Sequence, residues 1–574
     1  MVLALLKACW VGYSASASPP FSNCQRDSNV KKVETMSNKP TTVIVGGVAG
    51  GMSTATRLRR NDENRNIIVL EASGHVSFAN CGLPYHVGGV IPERSSLLLQ
   101  TPKALKERFN LDVRVNTRAV DINPEKQTVT TESGEIIGYD ELVLSPGATP
   151  FLPPIAGIEN AYTLRTVEDV DRIVAAVVDK KKAVIIGGGF IGLEMAENLR
   201  RRGLETTLVE AGPQIMGPLD PEMAAIVAKR MRDNGVEIRT KAQATEISAG
   251  GVRLQDGQTL EADIVIAAIG VRPASELAKA AGLEISERGG IIVDAYHRTS
   301  DPHIFALGDA ATKRDVHSGD STLVPLAQTA NRHGRLVADI IAGRDAASLP
   351  VLGTAIVGLF GLAAATTGWN ERRAKEEGKA VRVIHLHPAS HAGYFPDAAQ
   401  LHMKLVVNAD SDEILGAQIV GEDGVDKRID VIATAIRAGL TATDLADLEL
   451  AYAPQFGSAK DPINFAGFIN DNIVCGERII QWHELNERLS SGALLVDVRS
   501  PEEYSSGAIP GAINIPLDEL RSRHQEIAGH EEVIVHCQVG LRGHNAARVL
   551  NNLGYDVANL DGGYLTWKNG QEAR

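Results

Sequence analysis

Short runs of β-branched, apolar residues recur along this chain, each stopped by glycine and followed by a stretch whose apolar positions repeat with a helical period. The first run is TTVIVGG (41–47), after which AGGMSTATRLRRND has helical spacing. NIIVLEA (66–72) is a second buried strand and ends in Glu71, twenty residues after Gly51. Strand, glycine turn, helix, strand and terminal acid predict a mononucleotide-binding βαβ unit. Its glycines are imperfect, because Gly46 and Gly51 fit G-x-G-x-x-G but Val48 stands at the middle position. The pattern returns in full at 183–203, with Gly187, Gly189 and Gly192 in register. ETTLVEA then supplies Glu210, eighteen residues beyond Gly192. Between the two units, YDELVLSPGATP (139–150) reads as a strand broken at Pro146 and Gly147. ADIVIAAIGVRP (262–273) echoes it, and DPHIFALGDA (301–310) is a further strand ending at Gly308 and Asp309. One glycine turn is commonly an ordinary tight α/β turn; two complete units in one chain predict two bound dinucleotides with electrons passing between them.

From about residue 354 the pattern changes to strands with few helices. GVDKRIDVIATAIRAG places Val425, Ile429, Ile432 and Ile436 on one helical stripe closed by Gly439. Spacing alone leaves that stripe equally suited to a core or to a dimer contact. A last segment, near 477–574, reads as a small α/β module. Little linker precedes it, so it is expected close to the main body.

Composition narrows the class. A chain of 574 residues holds about four domains. A formal charge of -13 argues against nucleic acid as a general partner, while leaving room for a local basic pocket. No run of apolar residues is long enough to span a membrane. Cys9, Cys24, Cys81, Cys475 and Cys537 are scattered, which fits neither a disulfide framework nor a zinc site. No metal is expected, and a reducing cytoplasm is the natural setting. Residues 1–39 are expected to be a disordered leader or an extension upstream of a start at Met36; an export signal is the alternative.

The segments VIVGGVAGG, SFANCGLPYH, LSPGATP, GGGFIGLE, IFALGD, HAGYFP, DKRID and AYAP follow one another in this order. Together they resemble one branch of the two-dinucleotide flavoprotein reductases. That branch holds coenzyme A-disulfide reductase and its rhodanese-fused relatives, some of which are NADH-dependent persulfide or polysulfide reductases. The resemblance implies an α/β chain with two Rossmann-like FAD/NAD(P)-binding domains, an α+β dimerisation domain and a C-terminal rhodanese-like α/β domain. The expected division is an FAD-binding domain in two parts (40–150 and 273–350), an NAD(H)-binding domain (151–272), a dimerisation domain (351–472) and a rhodanese domain (473–574).

Carried onto this sequence, the dinucleotide positions are Gly46, Gly47, Ala49, Gly50, Gly51, Glu71, Ser145, Pro146, Gly147, Gly187, Gly189, Ile191, Gly192, Glu194, Glu210, Gly270, Gly308, Asp309, Pro325 and Ala327. FAD's pyrophosphate needs free N–H groups at the first helix N-terminus, and Glu71 suits its adenosine ribose. The resemblance gives Asp309 the ribityl chain, with a helix N-cap as its plainer role. Glu210 favours NADH over NADPH, because a carboxylate accepts from a free 2′-hydroxyl and repels a 2′-phosphate; no arginine follows in VEAGPQ.

Cys81 has no cysteine nearby to pair with. A buried structural thiol is the plainer reading. The resemblance instead sets it at a helix start beside the flavin, where the dipole is expected to lower its pKa. In the relatives coenzyme A supplies the missing thiol, as a Cys–S–S–CoA mixed disulfide. Ser53, Arg57, Arg60, Ser77 and Asn80 match the family's coenzyme site, although the arginines could equally be a solvated face. A further basic residue is expected near 103–108, where Phe109 stands in place of the lysine of some relatives, and Lys460 is a weaker candidate. Tyr394 and Tyr452 are implied to reach the partner subunit's site in a homodimer, with interfacial packing as the alternative.

In VIVHCQVGLRGHNAARVL, Cys537 and Arg542 have C-x4-R spacing, so successive N–H groups can cradle one charged atom at a helix start. This resembles the rhodanese active loop and suits sulfur carried as Cys537–S–SH. The expected enzyme uses FAD and NADH, with NADPH possible, to reduce CoA persulfide or polysulfide to sulfide through a Cys81–CoA mixed disulfide, Cys537 relaying sulfur. Alternatives are a CoA-disulfide reductase, an NADH oxidase or peroxidase, and a sulfur carrier for biosynthesis. Against the peroxidase, GGVAGGM lacks a histidine.

Overall fold

The apolar runs become the central strands of two parallel sheets. In the first, Thr41–Val45 lies between Asn66–Leu70 and Glu141–Leu144, with Asp112–Arg114 and Ile304–Ala306 at the edges. Val43 stands opposite Ile68 on one side and Leu142 on the other. Val43, Ile44, Val69, Leu142 and Val143 are fully buried, as continuous apolar runs require when helices cover both faces. The second sheet runs Val236–Arg239, Glu205–Val209, Lys182–Ile186, Ile264–Ala267. A computed structural model describes residues 39–574; the expectations for the leader, Cys9 and Cys24 lie outside the described residues.

The second nucleotide unit is inserted into the first. The chain leaves the first sheet after Glu141–Leu144 and returns to it only at Ile304–Ala306, which pairs in parallel with that same strand. The two crossings, Ala148–Pro150 and Val271–Pro273, pair with each other antiparallel.

A third sheet is antiparallel, in the order Ala355–Leu359, Leu362–Gly368, Ile414–Gly421, Leu401–Asn408, Val381–Leu386. Helix Val425–Ala438 covers it and buries Val425, Ile429, Ile432 and Ile436 against Ile384, Leu405 and Ile419. The apolar stripe is therefore intramolecular core. Gly439, at φ 73°, ends the helix in the left-handed conformation.

The last module is a five-stranded parallel sheet, Ile479–Ile480, Val557–Leu560, Val533–His536, Leu494–Asp497, Ile513–Asn514. It follows helix Pro462–Val474 almost at once, and its C-terminal helix Gly563–Glu572 packs on Pro221–Asp233 of the second nucleotide unit. Among the described residues, no helix is long and apolar enough to cross a membrane.

Candidate functional site

The two glycine turns are built alike. Gly46 and Gly187 take φ 101° and 112°. A Cβ on Gly51 would overlap the carbonyl oxygen of Gly46, and one on Gly192 that of Gly187, so each helix starts pressed against its own turn. Helices Ala49–Asn61 and Phe190–Arg201 have no side-chain cap and no acid in the first turn. Their free N–H groups suit a pyrophosphate. Glu71 accepts from Gly47 N at 2.7 Å and Ser73 N at 2.8 Å. Glu210 accepts from Gly188 N at 2.7 Å and Gly212 N at 2.6 Å. Each carboxylate is thus oriented beside its turn with acceptor capacity left for ribose hydroxyls. This donor set fits the two expected dinucleotides, FAD at Gly46, Gly47, Ala49, Gly50, Gly51 and Glu71, and a pyridine nucleotide at Gly187, Gly189, Ile191, Gly192 and Glu210.

Ser145, Pro146, Gly147 and Gly308 close the first cradle: Ser145 N donates to Val45 O at 2.8 Å, and its hydroxyl sits beside Gly50 and Gly308. Asp309 lies inside the turn Gly308–Ala310 and caps no helix, so its N-cap reading fails. Burial raises its pKa, opposed by Lys313 and Arg165. Both cations escaped the sequence reading. Arg165 donates to Pro146 O at 2.7 Å, and Lys313, pushed down to about 8 by burial, donates to Gly308 O and Ala311 O. Nothing in the motifs marks them, since each is placed by tertiary packing. Pro325 and Ala327 lie at the start of helix Ala327–Ile341, which packs along Ala49–Asn61. Gly270 accepts at its carbonyl from Phe151 N at 2.8 Å, at the crossing between the nucleotide units.

Cys81 sits in the single turn Asn80–Gly82, exposed, and followed by helix Leu83–Val87. Ser77 N donates to Gly47 O at 2.8 Å, which ties this stretch to the first glycine turn. The expected lowering of the thiol pKa is corrected. Partial burial, then the carboxylates of Glu194 and Asp309, raise it, and a helix of five residues has too small a dipole to reverse that. Glu194 comes from the second glycine helix and accepts from Tyr85 Oη at 3.2 Å; burial pushes its pKa up to about 7. The fold therefore brings a titrating carboxyl of the second cradle to the thiol of the first.

The residues expected to hold coenzyme A are divided in their commitments. Ser53 Oγ donates to Asn331 Oδ1 at 2.6 Å, and Arg57 Nε pairs with Asp339 at 2.7 Å. Arg60 is exposed and, among the described residues, makes no ion pair; Asn80 lies beside Cys81, and Lys460 is exposed. In helix Pro102–Phe109, Lys103, Lys106 and Arg108 are exposed while Phe109 packs on a core cluster. Tyr394 and Tyr452 are 76% and 48% exposed, with their hydroxyls 2.9 Å apart. Among the described residues no hydrogen bond joins that pair to the Cys81 stretch. They share the third module with exposed Phe395, Phe456 and Phe468.

Cys537 is buried at the end of the central strand Val533–His536. Its Sγ accepts from Gly540 N at 3.2 Å, just ahead of helix Leu541–Asn552. Arg542 holds Glu503 through two 2.7 Å bonds, and that bond first of all lowers the Glu503 pKa to about 2. Arg499, paired with Asp497 at 2.6 Å, donates to Gln538 at 3.1 Å. Arg499 and Glu503 were not read from the loop motif, because they come from a separate segment of the chain.

Among the described residues, Asp220, Glu222 and Glu371 have metal-like spacing, but the fully buried Lys404 ammonium stands among them at 2.9, 2.5 and 2.7 Å. An internal cation already balances those carboxylates.

Residues 40–334 match the pyridine nucleotide-disulphide oxidoreductase family, 354–461 its dimerisation domain, and 481–570 the rhodanese-like domain. The chain is similar to a Staphylococcus aureus coenzyme A disulfide reductase, 33% identical over 439 residues, covering 75% of this chain and 99% of that protein. It superimposes on reduced Bacillus anthracis CoADR-RHD with TM-score 0.91 and 48% identity, covering 93% and 98% of the two chains. For a NAD-dependent persulfide reductase from A. fulgidus the TM-score is 0.87 and the identity 37%, covering 92% and 100%.

Proposed function

The chain belongs to the pyridine nucleotide-disulphide oxidoreductase family and carries a rhodanese-like domain, and from that premise we propose that it reduces coenzyme A persulfide to sulfide with NADH, through Cys81. Its class of reaction is flavin-dependent reduction of a disulfide or persulfide by a pyridine nucleotide. The observation that carries the finer reading is the lone Cys81 near both cradles, tied to the first through Ser77 and Gly47 and close enough to Glu194 of the second for that carboxylate to raise its pKa. Bound FAD and NADH supply two electrons there.

The protein's own residues do the rest. The Cys81 thiolate attacks the inner sulfur of CoA–S–SH; that S–S bond breaks, HS⁻ leaves, and Cys81–S–S–CoA forms. Two electrons and one proton return the Cys81 thiolate and free CoA–SH. Glu194, poised near neutrality, is the group that holds or gives a proton at this step. Cys537 takes the outer sulfur of a donor R–S–SH, becoming Cys537–S–SH and releasing R–S⁻, and passes that sulfur to the CoA thiolate. The Gly540 N–H and the start of helix Leu541–Asn552 stabilise its charge. Tyr394 and Tyr452 serve the partner subunit's site in a homodimer; their exposure beside other aromatics supports this. CoA-disulfide reduction by the same Cys81 chemistry is the second reading, supported by the Staphylococcus relative.

Cys81→Ser should abolish NADH-driven sulfide release from a persulfide, and Cys537→Ser should lower it only in part. Undiminished sulfide release without Cys81 would end this reading.

A further inference from the structure

We propose that His385, a residue of the reductase body, is a positioning residue for sulfur transfer at Cys537. The inference rests on the reading of Cys537 as a sulfur acceptor.

The Cys537 loop is held on one side by the segment 561–565. Tyr564 N donates to Cys537 O at 2.8 Å, and Leu565 N donates to Gln538 O at 3.1 Å. Those two bonds engage the first two carbonyls of the loop, while Gly540 N, later in the loop, donates to Cys537 Sγ at 3.2 Å. The approach is close: Gly563 has φ 65°, and a Cβ there would overlap the Cys537 carbonyl oxygen. The conformation of this segment therefore sets the conformation of the loop.

Its first residue, Asp561, is anchored outside its own module. His385 lies on Val381–Leu386, the edge strand of the third sheet, and is fully buried. Its backbone N donates to both Asp561 oxygens at 3.1 and 2.9 Å, and its Nδ1 lies 2.7 Å from Asp561 Oδ2. On its far side Nε2 lies 3.1 Å from Glu222 of the second nucleotide unit. Two residues along, His387 Nε2 bonds Thr566 Oγ1 at 2.7 Å, in the first turn of the C-terminal helix that follows Asp561. A line of buried contacts thus runs from the nucleotide unit through His385 to Asp561 and on to the persulfide loop. From its own module, Gln481 Nε2 donates to the Asp561 side chain at 3.1 Å, and the Asp561 backbone N donates to Ile480 O at 3.0 Å.

Removing the imidazole takes away the 2.7 Å side-chain anchor of Asp561 and leaves only the His385 backbone N–H on that side; the segment and the loop carbonyls it holds can then shift, and a displacement near 1 Å at a reacting centre costs about a hundredfold in rate. The test uses full-length holoenzyme with glutathione persulfide as donor and cyanide as acceptor, scored as the Cys537-dependent rate above Cys537→Ser. His385→Ala should lower kcat at least about tenfold with the donor KM little changed. His385→Gln, which keeps a donor toward Asp561, should recover most of the loss. NADH-driven reduction of CoA disulfide should hold in both. If His385→Ala does not accumulate folded, Asp561→Asn is the second variant, with the same split expected. A smaller fall in kcat, or a parallel fall in CoA-disulfide reduction, overturns the inference. Absence of any Cys537-dependent transfer in the unsubstituted enzyme defeats the reading of Cys537, and the inference with it.

Discussion

Cys81 and Glu194 are far apart in sequence, yet the Glu194 carboxylate helps raise the Cys81 pKa. The thiol was legible as chemistry from its neighbours in SFANCGLPYH, but its charge environment was not, because Glu194 and Asp309 reach it from other segments. The burial that lifts the Glu194 pKa to about 7 from the usual 4.5 has a signed consequence. The folded protein holds that proton more tightly than the unfolded chain, so stability falls as pH rises between those two values. Glu194→Gln should remove this loss. It should also shift the pH dependence of Cys81 alkylation by iodoacetamide to lower pH, since above neutrality the carboxylate disfavours the thiolate. An unchanged alkylation profile would separate the two groups.

Among the elements, the paired glycine turns were the clearest in sequence, because backbone geometry makes local demands on residue type. Val48 in the middle of the first turn did not disturb it: the tight approach is made by Gly46 and Gly51. Gly192→Ala should therefore cost about 1–3 kcal/mol through overpacking against Gly187, read as a fall in Tm. It should raise the KM for NADH while leaving FAD binding in place; equal loss of both would mean that the two cradles are not independent. The helix Val425–Ala438 shows the opposite case. Its apolar stripe was evident from spacing, but whether the stripe met its own sheet or a second subunit was decided only by the strands beneath it. The same holds for Arg165 and Lys313, whose roles beside Pro146 and Gly308 have no signature along the chain.

The whole molecule is joined where three modules meet, around Lys404 and His385. Lys404 carries its charge without solvent, balanced by Asp220, Glu222 and Glu371, which raise its pKa despite burial. Lys404→Met would leave those carboxylates uncompensated, an expected loss of roughly 3–5 kcal/mol in chemical denaturation. His385 faces Asp561 and Glu222, with Lys404 nearby. Burial opposes its charge, but the bonds to the two carboxylates prevail and lift its pKa to about 9 from 6.5. That stabilisation is complete below 6.5 and fades as pH rises through about 9. Denaturation midpoints measured across that range should fall in the unsubstituted protein and stay flatter in His385→Gln. By itself the sequence determined the apolar strands of the two nucleotide sheets, the two nucleotide turns and the two cysteine loops, because hydrophobic period and glycine geometry are local properties. Only the tertiary structure decided which charges meet across modules: a buried ion pair is defined by distance in space, and no spacing along the chain records it.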